Sequence, residues 1–323
     1  MLRINVSFPS GSGETLLLPE HSKVGDLKLL AQKTFVKGFL KLITAEGDAL
    51  INPEDYLQAA GIQEEECLTA VAQQANVSAT VAAFAVFCCG GNQMVTWGSP
   101  DQGGDCSAVQ DQLKNVVQVQ ATDGAFAAIL ADGSVIAWGN PNYGGDCSAV
   151  QDQLRNVQQI QSTRSGGFAA ILADGSVVAW GDPECAGDCS AVQDQLRNVQ
   201  QIQATDMAFA AILADGSVVA WGDPECGGDC SAVQDQLRNV QQIQSTRSGA
   251  FATILADGSV VSWGHPDHGG DCSRVQCQLN NVQQIQAAHS AFAAILADGS
   301  VVAWGLPQRG GDCSTVQDQV DYL

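Results

Sequence analysis

The chain has 323 residues, 45% of them apolar, enough to bury a sizeable core and to hold two domains. Only 15% are charged, yet 35 Asp and Glu stand against 14 Lys and Arg, for a net charge of -21. A surface so acidic repels phosphate, which speaks against nucleic acid and anionic membranes as partners.

Residues 1–74 do not repeat. Residues 2–8 alternate as a strand, Pro9-Ser10-Gly11-Ser12-Gly13 makes a turn, and residues 14–18 form a second strand. Ser22 is the expected N-cap of an amphipathic helix with Val24, Leu27, Leu30 and Ala31 on one face. Residues 39–50 read as further strand, an irregular stretch around residues 53–62 carries a short helix, and residues 67–73 close the segment as a strand. This order, ending in DYLQAAGIQEEECLTAV, resembles the ubiquitin-like β-grasp domains. The resemblance implies an apolar docking patch for ubiquitin or proteasome receptors at Phe8, Ile43 and Val71. Ordinary half-buried strand residues would read the same way. Lys41 supplies one basic neighbour, but Asp48, Thr69 and Gln73 stand where further basic residues belong. The segment continues as Gln73-Gln74-Ala75-Asn76 with no Gly-Gly, so it reads as a built-in module rather than a conjugated modifier.

From about residue 73 the chain repeats itself. Trp-Gly pairs begin at Trp97, Trp138, Trp180, Trp221, Trp263 and Trp304, spaced 41, 42, 41, 42 and 41 residues apart. Such a period marks a repeat architecture. In the fourth copy, residues 199–204 alternate as a strand and residues 209–213 form a second. Ala214-Asp215-Gly216-Ser217 is then a hairpin turn into a third strand at residues 218–221. A Pro- and Gly-rich loop leads to Cys230-Ser231-Ala232-Val233, where a fourth strand is an open alternative. One such sheet is not stable alone. Packing copies face to face around an axis buries Phe209, Ile212, Val219, Trp221 and their counterparts, at about 1.5–3 kcal/mol for each large side chain. That arrangement is a β-propeller, with a linear β-solenoid as the competing architecture.

The copies differ mainly in the loop before the second strand. It reads ATDGAF, STRSGGF, ATDMAF, STRSGAF and AAHSAF in turn, an Asp loop alternating with a longer Arg loop in a duplicated unit of 83 residues. Its variable positions are Asp123, Arg164, Asp206, Arg247 and His289, the candidate protein-binding residues of the array. The first copy diverges most: AVFCCGGNQMVTWG, residues 85–98, is one residue longer and lacks the Asp-Gly turn.

The pattern V..IQA....AFAAILADGSVVAWG....GGD resembles the repeats of the regulator-of-chromosome-condensation family, as found in the propellers of HERC-type proteins. Propellers of that family have more and longer blades than the six here, and their Gly-Gln-Leu-Gly is replaced by Gly-Gly-Asp-Cys-Ser. No partner-binding residue carries over. The expected fold is therefore mainly β: an α+β ubiquitin-like β-grasp domain at residues 1–74, then a six-bladed propeller of 41–42-residue repeats at residues 75–323.

Chemistry-bearing residues have plain structural explanations. Cys106, Cys147, Cys189, Cys230, Cys272 and Cys313 recur at one position, and Cys185 and Cys226 add a partner four residues earlier. Zinc would need a second pair from a neighbouring copy, whereas a small buried thiol beside a tight Gly loop needs nothing. The loop GHPDHGGDCSRVQC carries His265, Asp267, His268, Asp271, Cys272 and Cys277, but only one copy has the histidines. Asp132, Asp174, Asp215, Asp257 and Asp298 are hairpin residues rather than catalytic carboxylates. A family member in plants senses ultraviolet-B light through exposed tryptophans, but each Trp here ends an apolar strand before Gly, a packing position. No phosphate-cradling or nucleophile motif is present.

No N-terminal leader is visible, no apolar run is long enough to span a bilayer, and the 12 cysteines read as reduced thiols. The chain is expected to be cytoplasmic or nuclear, monomeric, free of cofactor and metal, and not an enzyme. The function expected is an interaction scaffold linked to the ubiquitin–proteasome system through residues 1–74, with a second, basic protein held by the propeller. The resemblance leaves two alternatives: a relative of HERC-type ubiquitin ligases, though without room for their catalytic domain, or a guanine-nucleotide exchange factor for a small GTPase.

Overall fold

The structure, a computed structural model, describes residues 1–88 and 94–316. The divergent turn of the first copy, residues 89–93 with Cys89, and the end of the sixth copy, residues 317–323, lie outside the described residues. Two compact units are present. One comprises residues 1–77, 85–95 and 110–118, the other residues 78–84, 96–109 and 119–323.

The first unit is built on β1 (Leu2–Ser7), β2 (Gly13–Leu18), α1 (Val24–Phe35), β3 (Phe39–Ile43) and β4 (Glu66–Gln73). The sheet runs β2-β1-β4-β3, with the central β1–β4 pair parallel and the outer pairs antiparallel. Ile4, Val6, Leu42, Leu68 and Ala70 alternate inward and pack with Val24, Leu27 and Ala31 of the helix.

Three local expectations are corrected. The helix is capped at Lys23 rather than Ser22, because the Asp26 carboxylate accepts from the Lys23 N–H at 2.9 Å. Ser22 is instead buried, its carbonyl accepting from the Leu57 N–H at 3.0 Å. Residues 39–50 give one strand, since the chain turns at left-handed Gly47 and returns only as the single bridge Ile43–Ala49. The stretch at residues 53–62 forms turns rather than a helix, anchored by buried Leu57 and Ile62.

Among the described residues six three-stranded sheets make up the repeats, fully antiparallel in the third to sixth copies. In the fourth copy the strands are Val199–Ala204, Ala208–Leu213 and Val218–Gly222; the other sheets lie at residues 75–98, 116–139, 157–181, 240–264 and 282–305. Phe209 pairs with Ala204 on one side and Trp221 on the other. The Asp-Gly turn closes as expected: Gly216 takes φ 79°, and the Asp215 carboxylate accepts from the Ser217 N–H at 2.9 Å and hydroxyl at 2.6 Å. The Cys-Ser-Ala-Val segment is not a fourth strand. The Asp229 carboxylate accepts from the Ser231 N–H at 2.8 Å, and Ser231–Val233 winds into a short 3-10 turn.

The core lies between the sheets. At the boundary of the third and fourth copies, Ile171, Val177, Ala186, Cys189 and Leu196 meet Ile202, Phe209, Val219 and Trp221. Ile212 points the other way, into the equivalent core shared with the fifth copy. A sheet buried on both faces needs an unbroken apolar strand, which is why its middle strand reads AFAAIL without alternation. The closed ring expected from the sequence is not seen between the described residues of the sixth and first copies, where Phe84, Trp97 and Ile295 remain exposed.

Candidate protein-binding site

The variable loop is held by a residue that the sequence pattern left unremarked. In the fourth copy the buried Thr205 hydroxyl accepts from the Ala208 N–H and donates to the Cys226 carbonyl, both at 3.0 Å. Thr122 ties its loop to the Tyr143 carbonyl at 2.9 Å, and Thr163 ties its loop to the Cys185 carbonyl at 3.1 Å. The next residue in each of these copies is the variable one, presented from a fixed base. The preceding Thr, present at this position in the first five copies and replaced by Ala288 in the sixth, was the available signal.

Backbone hydrogen bonds then link the loops from copy to copy. Val81 N–H donates to the Asp123 carbonyl at 3.1 Å, Asp123 N–H to Arg164 at 2.8 Å, and Ser165 N–H to Asp206 at 3.0 Å. Asp206 N–H donates to Arg247, and Ser248 N–H to His289, each at 3.0 Å. Residues from all six copies consequently line one cavity of about 840 Å³, and Asp123, Arg164, Asp206, Arg247 and His289 all belong to its wall.

Charge at this cavity is balanced, although the chain as a whole is strongly acidic. Two aspartates offset two arginines, so the complement to a basic partner is not concentrated here. Arg164 Nε donates to Asp123 Oδ1 at 2.8 Å, which holds the guanidinium above its ordinary pKa. Asp206 behaves oppositely: burial pushes its carboxyl up, only partly offset by Arg164 and Arg247. His289 Nδ1 lies 2.7 Å from the Ser248 hydroxyl and 2.9 Å from that of Ser290.

In the first unit the candidate residues separate. Phe8 packs against the core and meets Phe35 edge-on at 4.9 Å, on the helix side of the sheet. Ile43 pairs with Thr69, and Val71 with Lys41, on the face opposite the buried Leu42 and Ala70. Ile43 and Val71 are brought together; Phe8 is not with them.

The recurrent cysteines are packed thiols. Cys147, Cys189, Cys230 and Cys272 donate to the glutamine four residues on, at 2.9–3.2 Å, and burial raises each pKa. Each of these glutamines, for example Gln234, donates onward to the third strand, at the Val218 carbonyl at 3.1 Å. Cys185 and Cys226 are pushed up to about 11, chiefly by burial. His265 and His268 stack at 3.9 Å, and His268 Nδ1 is spent on the Ser248 carbonyl at 2.8 Å. Among the described residues no group of three or more His, Cys, Asp or Glu is placed to hold a metal, and no helix is long and apolar enough to cross a membrane. The hairpin aspartates are held below the usual carboxylate range by the adjacent serine hydroxyl and amide, as at Asp215 with Ser217.

No family model and no curated protein matches the chain. Among solved structures, the chain is similar to Prp20p from Saccharomyces cerevisiae, at 16% identity over 71% of each chain, with a TM-score of 0.42. It is similar to human WBSCR16 at 14% identity, covering 82% of this chain and 88% of that one, with a TM-score of 0.45. A chain of the complex of Kap60 with yeast RCC1 (Prp20) matches at 16% identity over 62% of this chain and 57% of that chain, with a TM-score of 0.41. The chain is a mainly β protein of repeated three-stranded sheets, preceded by an N-terminal α/β segment.

Proposed function

We propose that the chain is a non-enzymatic protein-binding module whose partner seats at the cavity where the variable loops converge. The observation that carries this reading is that Asp123, Arg164, Asp206, Arg247 and His289, scattered over 167 positions from 123 to 289, line one cavity, the first four on loops pinned by buried threonines. A rigid scaffold with variation confined to adjoining loops is the usual arrangement for recognition. Because the cavity is charge-balanced, the partner surface that fits it carries both signs and forms paired hydrogen bonds rather than a purely basic face.

Exchange on a small GTPase is the more specific form of this reading, since it needs binding and no covalent chemistry; it rests on the resemblance of the repeats. Prp20p is described by its binding to Gsp1p and histones, and these are the first partners to test. A link to the ubiquitin system rests on the resemblance of residues 1–74, with Ile43 and Val71 as its surface. Titration of the full chain with each candidate, alongside release of a fluorescent guanine nucleotide from a small GTPase, separates these readings. Arg164→Glu with Arg247→Glu is expected to weaken binding by about tenfold or more. Unchanged affinity in that variant would sink the cavity as the contact site.

A further inference from the structure

We propose that the two uncovered ends of the repeat array bind head to tail, the first copy of one chain seating on the sixth copy of a second chain. Every interior boundary is made the same way. The later copy supplies a paired Phe and Trp, and the earlier copy supplies a left-handed residue, four times Gly and once Ala186; the second to fifth copies add an Ile and a Val, where the first has buried Phe87 and Met94. The indole N–H groups of Trp138, Trp180, Trp221, Trp263 and Trp304 donate to the carbonyls of Gly103, Gly144, Ala186, Gly227 and Gly269 at 3.0–3.2 Å. A Cβ on Gly103, Gly144, Gly227 or Gly269 would fall 2.5–2.7 Å from the ring of the next copy's Phe.

Among the described residues, the two halves of this boundary stand without mates at the ends of the array. Phe84 and Trp97 stack at 5.3 Å like the interior pairs, yet they are 44% and 48% exposed, against 4% for each interior tryptophan. At the other end Ile295 is 42% exposed, where Ile129, Ile171, Ile212 and Ile254 are at most 7%. A Cβ on Gly310 would meet nothing within 4 Å. The same holds for the hairpin Gly299, whereas Gly133, Gly175, Gly216 and Gly258 abut the Asn that opens the following copy.

The occupant is a second copy because these surfaces are the two sides of an interface that the chain already forms internally. The loops of both end copies line the same cavity, yet Phe84, Trp97 and Ile295 remain exposed. Packed interiors deform little, so closing the seam within one chain would strain the boundaries between copies. The contact is heterologous and extends past a dimer unless the rotation closes. This assembly differs from the monomer expected from the sequence.

Sedimentation of the full chain from about 1 to about 100 μM tests the proposal. The average mass of the wild-type chain is expected to rise with concentration. Trp97→Ala removes one half of the contact and Ile295→Glu the other; both sites are exposed, so circular dichroism should be unchanged. Each variant alone should stay monomeric, and an equimolar mixture should form a dimer, because one intact half remains on each. A wild-type chain that stays monomeric throughout, or a mixture that forms no dimer, overturns the proposal. Protection of Trp97 from acrylamide quenching in such a monomer would assign the seam to closure within one chain.

Discussion

The indole N–H of Trp221 donates to the carbonyl of Ala186, 3.2 Å away, across the boundary between the third and fourth copies. Ala186 takes φ 68°, a left-handed conformation that the other interior boundaries give to glycine. Its β-carbon carries a conformational cost that the bond to Trp221 does not need. Ala186→Gly is expected to raise stability by about 0.5–1 kcal/mol, read as a higher urea midpoint with an unchanged slope. A lower midpoint would mean that the methyl group contributes more by packing than it costs in backbone strain.

The same contact predicts that chemically identical substitutions have unequal effects. Trp221→Phe leaves the Ala186 carbonyl unpaired in a buried boundary and is expected to cost about 1–3 kcal/mol. Trp97→Phe, at an exposed position, should change stability by no more than about 0.5 kcal/mol at concentrations where the chain is monomeric. Equal losses in paired denaturation curves would contradict the difference in burial.

Asp206 should impose a pH dependence of unusual sign. Its folded-state pKa is raised, first by burial, so the folded chain holds this proton more readily than the unfolded one. The stabilisation is fully present below the ordinary aspartate value of about 3.9 and is lost as pH rises through the higher folded value. Asp206→Asn removes this term. It is expected to stabilise the chain at neutral pH by less than about 1 kcal/mol after solvent screening. A variant with the wild-type pH profile would show that Arg164 and Arg247 fully offset the burial.

Thiol reactivity should follow packing. Cys67 and Cys277 are exposed and are expected to react with a disulfide reagent at pH 8 within the first phase. Cys147, Cys189, Cys230 and Cys272, buried with raised pKa values, should react only on unfolding. Fast labelling of the buried set in native protein, mapped by mass spectrometry, would show that the boundaries open readily.

Much of the repeat was legible because its signals are local. The Asp-Gly hairpin, the Trp-Gly strand end and the strand at residues 199–204 each follow from a few adjacent residues, and the structure places them as expected. Residues 39–62 were read less well: a single Gly47 turn decides between one strand and two, and tertiary anchors at Leu57 and Ile62 override helical periodicity. The Cys-Ser-Ala-Val segment was ambiguous because its apolar run is too short to distinguish strand from turn until Asp229 is seen to cap it.

For the candidate site, the sequence by itself determined which loop positions vary, Asp123, Arg164, Asp206, Arg247 and His289, and that one sheet could not stand alone. Only the tertiary structure decided that those positions share one cavity with balanced charge, that Phe8 is turned away from Ile43 and Val71, and that Trp97 and Ile295 are left uncovered. The reason is physical. A repeat encodes the contact to its neighbours in local side chains, whereas the meeting of the first and last copies depends on the small rotation at every boundary, summed along the array.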